Sequence, residues 1–146
     1  MEVMIVFSRV FKFIYNVSRV IPHLDKVLYI LFRCIIPRNV RIGENVVFNH
    51  SGFGTVIHPN AVIGNNVWIE HHVLLGQKTG LSRNAPTIED DCVLGAYAIV
   101  LGGVTIGKGS VVGAGTIITE DIPPNSIVYN KKEKVINSNF PHRLVC

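Results

Sequence analysis

Along most of this chain every sixth residue is a large aliphatic. The longest run is Ile88, Leu94, Val100, Ile106, Val112 and Ile118. Earlier stretches keep the same beat through Ile57, Ile63, Ile69 and Leu75, and before them through Ile36, Ile42 and Phe48. A period of six matches neither the helical repeat of about 3.6 nor the plain alternation of an open sheet. It marks a solenoid in which each six-residue unit forms one short side of a coil.

The units obey a second rule. Gly64, Gly95, Gly107 and Gly113 stand second, directly after Ile63, Leu94, Ile106 and Val112. The fifth positions are Val67, Ala98, Ser110 and Thr116, all small or β-branched. First and fifth residues therefore point inward. Third and fourth positions carry turn chemistry, as in Asn65–Asn66, Asp90–Asp91 and Lys108–Gly109, which suits water and left-handed backbone. Three corners per coil give a triangular prism of about eighteen residues per turn, its coils about 4.8 Å apart through parallel pairing. The roughly thirteen units predict about four coils, enough for a continuous core.

The chain has 146 residues, is rich in apolar side chains and carries a formal net charge of +4. That argues against disorder. Nucleic acid is a poor partner, because no basic stripe interleaved with aromatics appears and Trp68 is the single Trp. Cys34, Cys92 and Cys146 are odd in number and lack metal-type spacing. Cys92 falls on an inward position and reads as core. The cysteine pattern suits a reducing, cytoplasmic setting.

The N-terminus is apolar but interrupted by Arg9, Lys12 and Arg19, so it reads as neither a signal peptide nor a membrane span. Two helices are predicted, over Glu2–Val20 and Pro22–Arg33, with Pro22 as a first helical residue. Val3, Val6, Phe7, Val10, Phe13, Ile14 and Val17 lie near one face of the first. Two readings stay open: a cap over the end of the coil, or an interfacial helix making peripheral contact with the inner membrane face. The expected organisation is a helical segment over 1–34, the coil over 35–128 and a C-terminal tail over 129–146.

Two interruptions break the rhythm. Extra residues enter in Asn49-His50-Ser51-Gly52-Phe53-Gly54-Thr55, and a longer loop runs from Gly80 to Thr87. Breaks in a repeat are where function is expected. His50 stands third in its unit, on an outward corner, and His71 holds the same position one coil later. The two are predicted neighbours about one strand spacing apart. Glu70 and His72 flank the second site. An imidazole is the usual general base for a hydroxyl or amine at neutral pH. His50 is the candidate base, with His71 and Glu70 beside it. For His23, His58 and His142 a plain surface or corner role fits better. No triad of histidines at ligand spacing is visible, so no metal is expected.

The repeat resembles the hexapeptide-repeat, left-handed parallel β-helix family over Pro37 to about Ile127; the left hand is implied by that resemblance. Phe48-Asn49-His50-Ser51-Gly52, Val56-Ile57-His58-Pro59, Ala61-Val62-Ile63-Gly64, Ala85-Pro86-Thr87-Ile88, Leu94-Gly95-Ala96 and Val112-Gly113-Ala114-Gly115 are similar to serine acetyltransferases and to short acetyltransferases of surface-polysaccharide pathways. The resemblance implies an all-β enzyme that uses acetyl-CoA as co-substrate. It makes His50 the base that deprotonates an acceptor hydroxyl, with oxyanion donors from backbone N–H groups near Gly76. It places CoA in a groove between adjacent subunits of a homotrimer, with Arg83 of the extruded loop facing a neighbour's His50. Gly76, Ala96 and Ala114 match the contacts of the pantetheine arm, and Lys78, Lys108 and Lys134 are candidate phosphate partners.

Three departures bear on the acceptor and the cofactor. Ile35 aligns where serine acetyltransferases carry an Asp, Ala85 where they carry a second active-site His, and Asn130-Lys131-Lys132-Glu133-Lys134 replaces the usual Gly-x-Pro-Ala-Lys/Arg. A cationic amine would lose its carboxylate, so a sugar hydroxyl, as on a surface polysaccharide, is expected ahead of serine. Serine O-acetylation and a non-catalytic β-helix scaffold are the alternatives.

Overall fold

The computed structural model describes residues 13–17, 25–78, 84–129 and 136–137. Its coils form from strands of two or three residues, one on each side of a triangle. The first coil has β1 (Arg41–Ile42), β2 (Val47–Phe48) and β3 (Val56–Ile57). The second has β4 (Val62–Ile63), β5 (Trp68–Ile69) and β6 (Leu74–Gly76). The third has β7 (Thr87–Ile88), β8 (Val93–Leu94) and β9 (Ile99–Leu101), and the fourth β10 (Thr105–Ile106), β11 (Val111–Val112) and β12 (Ile117–Ile118). Then follow β13 (Ser126–Val128) and β14 (Ile136–Asn137).

Each side of the prism is one sheet. The first face stacks β1-β4-β7-β10, the second β2-β5-β8-β11-β13-β14 and the third β3-β6-β9-β12. Neighbours pair in parallel and in register, so Phe48 stands over Ile69, Ile69 over Leu94 and Leu94 over Val112. The exception is β14, which runs antiparallel to β13 with Ile127 opposite Ile136. That strand lies in the segment expected to be only a tail, because a hairpin-like return leaves no six-residue signature.

The inward positions form the core as expected. Ile57, Ile63, Ile69, Leu75, Ile88, Leu94, Val100, Ile106 and Val112 are buried, and so are the fifth residues Val67, Cys92, Ala98, Ser110 and Thr116. Burying one such aliphatic is worth about 1.5–3 kcal/mol. Glycine at the second position has a steric cause. A Cβ on Gly95 would lie 2.6 Å from the backbone nitrogen of Ala114 in the next coil. Fourth positions adopt the left-handed backbone: φ is 55° at Asn45, 56° at Asn66 and 61° at Asp91. Their side chains form a hydrogen-bonded ladder, Asn45 Nδ2 donating to Asn66 Oδ1 at 3.2 Å and Asn66 Nδ2 to the Asp91 carboxylate at 3.0 Å.

Residues 13–17 are helical, and a helix spans Asp25–Phe32, inside the expected 22–33. Arg33, with φ 53°, turns the chain out of that helix. Tyr15 and Phe32 are buried members of the same apolar cluster as the core of the coil. Phe13, placed on the apolar face of the first helix by its spacing, is 70% exposed, and Ile30 equally so. The rest of that first helix, with Pro22, lies outside the described residues. Among the described residues no helix is long and apolar enough to cross a membrane.

Candidate active site

The corner between the second and third faces carries the site. Register puts the third residues of the β2, β5, β8 and β11 units in one column: His50, His71, Ala96 and Ala114. The backbone keeps this order, since Tyr97 N–H donates to the His71 carbonyl at 3.1 Å and Gly115 N–H to the Ala96 carbonyl at 2.8 Å. Two imidazoles are thus followed by two alanines up the edge of the prism.

The first interruption shapes the base of this column. Asn49–Gly52 forms a short 3-10 turn in which His50 (φ 49°, ψ 34°) and Ser51 (φ 57°, ψ 30°) are both left-handed. Such backbone costs a non-glycine residue about 1–2 kcal/mol. Backbone of this kind collects at functional sites. Here it turns His50 outward while Ser51 is buried.

Expectation and geometry agree on the trio. The His50 and His71 rings sit 4.9 Å apart, edge to face at 85°. Glu70 Oε2 lies 3.7 Å from His50 Nε2 and 3.9 Å from His71 Nδ1, within ion-pair reach but beyond hydrogen-bond length. Glu70 Oε1 accepts a 2.6 Å bond from Asn49 Nδ2, which fixes the carboxylate. His71 also meets Tyr97 edge-on at 5.5 Å, and His72 stacks on Tyr97 at 4.5 Å.

Asn49 and Tyr97 were not singled out from sequence. The readable signal was register: Asn49 falls one coil below Glu70, and Tyr97 one coil above His72. The expectation of no metal rests on the lack of a histidine triad in the sequence. Counting histidines misses that the coil gathers His50, Glu70 and His71, with one ligating atom from each within 4.8 Å of the others.

A groove of about 690 Å³ runs across the outer side of the second face and ends at this corner. Trp68, Val93 and Val111 form its apolar floor, Glu70 and Ala114 its corner end, and Lys108 its far end. Lys108 Nζ is drawn to Asp91 Oδ2 at 3.3 Å. The remaining cofactor candidates are spread out. Ala96 stands in the column without lining the groove. Gly76 ends β6, on the third face, with the exposed Lys78 just beyond, so both sit at a different corner from His50. Lys134, Arg83 and the first half of the extruded loop lie outside the described residues; Ala85 packs against the core and Thr87 is already in β7.

A three-sided coil built from six-residue units defines a class, the hexapeptide-repeat β-helices. Residues 85–120 match the family described as bacterial transferase hexapeptide (six repeats), and residues 35–71 match the hexapeptide repeat of succinyl-transferase. Serine acetyltransferase 2 of Arabidopsis thaliana is 41% identical over 99 residues, which is 66% of this chain and 30% of the relative. WcaB of Escherichia coli, named for acetyl transfer in colanic acid biosynthesis, is 32% identical over 94 residues, 64% of this chain and 57% of WcaB. The structure of soybean serine acetyltransferase complexed with serine superposes with a TM-score of 0.71 at 36% identity, over 77% of this chain and 46% of that one. The chain spans under a third of the length of the Arabidopsis relative. It is a hexapeptide-repeat, left-handed parallel β-helix of the serine acetyltransferase-like kind.

Proposed function

We propose that this chain transfers an acetyl group from acetyl-CoA to a hydroxyl, with His50 as general base. The observation that carries the reading is the half-exposed His50 imidazole held beside Glu70 at the end of an apolar groove. His50 takes the hydroxyl proton as the oxygen attacks the thioester carbonyl. The tetrahedral oxyanion collapses, the C–S bond breaks, and the imidazolium returns its proton to the CoA thiolate. Backbone N–H donors stabilise the oxyanion, by resemblance those near Gly76. Glu70, one coil away, orients the His50 ring. Glu70→Gln with unchanged turnover would remove that role.

Serine is the favoured acceptor, because serine acetyltransferases of plants and bacteria are similar to this chain in sequence and fold. That reverses the order expected from sequence, which put a sugar hydroxyl first. The sugar reading keeps support from the likeness to WcaB and from Ile35, whose exposed apolar side chain stands where the resemblance puts a carboxylate. A complete site is expected to need more than one copy, since Gly76 and Lys78 sit at a different corner from His50. A homotrimer would bring the two corners together, and light scattering on the purified chain tests it. Contact of the N-terminal helices with an anionic membrane surface is tested by sedimentation with vesicles.

The central experiment follows CoA release from acetyl-CoA over a panel of serine and sugar acceptors, for wild type and His50→Asn. Transfer to serine that depends on His50 supports the reading. Faster transfer to a sugar promotes the second acceptor. Transfer that survives His50→Asn dismisses His50 as base, and no transfer together with no CoA binding favours a scaffold.

A further inference from the structure

The corner that holds the base also has the makings of a metal site. His50 Nε2, His71 Nδ1 and Glu70 Oε2 face one another, with the carboxylate oxygen 3.7 and 3.9 Å from the two nitrogens. Two imidazoles and one carboxylate, with a fourth direction open to solvent, are the donor set of a tetrahedral zinc ion carrying one exchangeable ligand. Zinc bonds of about 2.0–2.1 Å set tetrahedral edges of about 3.3 Å, so each donor needs to move inward by roughly half an ångström.

Two independent features favour occupancy. His71 Nδ1 is buried and has no hydrogen-bond partner among the described residues. A buried nitrogen left without a partner is costly, and a metal bond relieves it. Asn49 Nδ2 holds Glu70 Oε1 at 2.6 Å and so presents Oε2 to the imidazoles. Outer hydrogen bonds of this kind orient metal ligands. The fourth side is open because the His50 side chain is 49% exposed.

We propose that His50, Glu70 and His71 bind a divalent transition-metal ion of the zinc class, and that the bound ion silences the base. The lone pair that would accept the acceptor's proton is then spent on the metal. Only this silencing rests on the acetyl-transfer reading; the binding does not.

The test titrates chelator-treated full-length protein with zinc alone, by calorimetry, and with cobalt, whose tetrahedral complexes absorb visibly. One site per chain and a tetrahedral cobalt spectrum are expected. His71→Ala and the near-isosteric Glu70→Gln should each weaken zinc binding at least tenfold, and Asn49→Ala about tenfold. His58→Ala should leave it unchanged. Circular dichroism reports whether each variant keeps its fold. No binding at millimolar zinc, or wild-type affinity in both His71→Ala and Glu70→Gln, overturns the site. Acetyl transfer followed by product mass should fall with zinc and recover with chelator. Zinc binding with this variant pattern but no transfer to any acceptor supports the site and counts against the transfer reading. Transfer without zinc binding overturns the site alone.

Discussion

His50 and His71 lie one coil apart with their rings 4.9 Å from centre to centre and nearly perpendicular, although 21 positions separate them in the chain. The coil closes that distance because β2 and β5 pair in register, one coil apart. Glu70 lies between the two imidazoles and binds neither tightly, while Asn49 holds its other oxygen. The pairing makes each of these residues separately testable.

Replacing His50 by Asn removes the base and keeps a residue that tolerates left-handed backbone. The expected result is a fall of about 10²–10⁴-fold in kcat/KM for acetyl transfer. The melting temperature should stay close to wild type. A loss of activity tracked by an equal loss of folded protein would assign His50 to structure instead.

Ala114 is exposed and ends the groove, so Ala114→Phe should fill the groove without disturbing the coil. The KM for acetyl-CoA should rise about tenfold or more, roughly 1.4 kcal/mol or above. An unchanged KM would move the cofactor to another surface of the prism.

Gly95→Ala tests the stacking of coils. The new methyl would meet the Ala114 backbone at 2.6 Å, and backbone cannot swing aside as a side-chain tip can. Overpacking of this kind costs about 1–3 kcal/mol. Chemical denaturation should show it as an earlier midpoint.

Ile69 is fully buried between Phe48 and Leu94 in the inward column. Ile69→Ala should cost about 2–5 kcal/mol through lost burial and the cavity left behind. A cost below 1 kcal/mol in denaturation would mean that the coil collapses around the gap.

Burial pushes the thiols of Cys34 and Cys92 up to about 11 from the usual 9.0, against a smaller opposing pull from backbone hydrogen bonds. The folded pKa exceeds the unfolded one, so the unfolded chain loses its protons first as pH rises. Their contribution to stability is full below about pH 9 and is lost between about 9 and 11. Denaturation midpoints at pH 8 and at about pH 10 should differ less in Cys92→Ala than in wild type. An equal fall in both would place the alkaline loss elsewhere. Both thiols should also resist alkylation at neutral pH while the chain is folded.

Periodicity made the core readable at the level of single residues. Ile57, Leu94 and Val112 could be assigned inward positions because every coil repeats the same steric demand. Asn66 and Asp91 could be assigned to corners because few residues accept left-handed backbone there. His50 stood out as a break in that order. Asn49, Tyr97 and the apolar floor of Trp68, Val93 and Val111 did not, since each is unremarkable within its own unit. Their roles arise between coils, through neighbours that lie 18 to 25 positions away.

The three-sided coil, its register and the corner on which the imidazoles stand can be read from the order of residues alone. Those follow from local rules, burial of every sixth residue and turn chemistry between, that act within one unit and repeat. The convergence of a carboxylate and two imidazoles within 4.8 Å, the pull of Lys108 toward Asp91 and the place of Gly76 at another corner from His50 emerge from the folded arrangement of the coils. Side-chain direction across stacked coils depends on insertions and rotamers that a six-residue period does not encode.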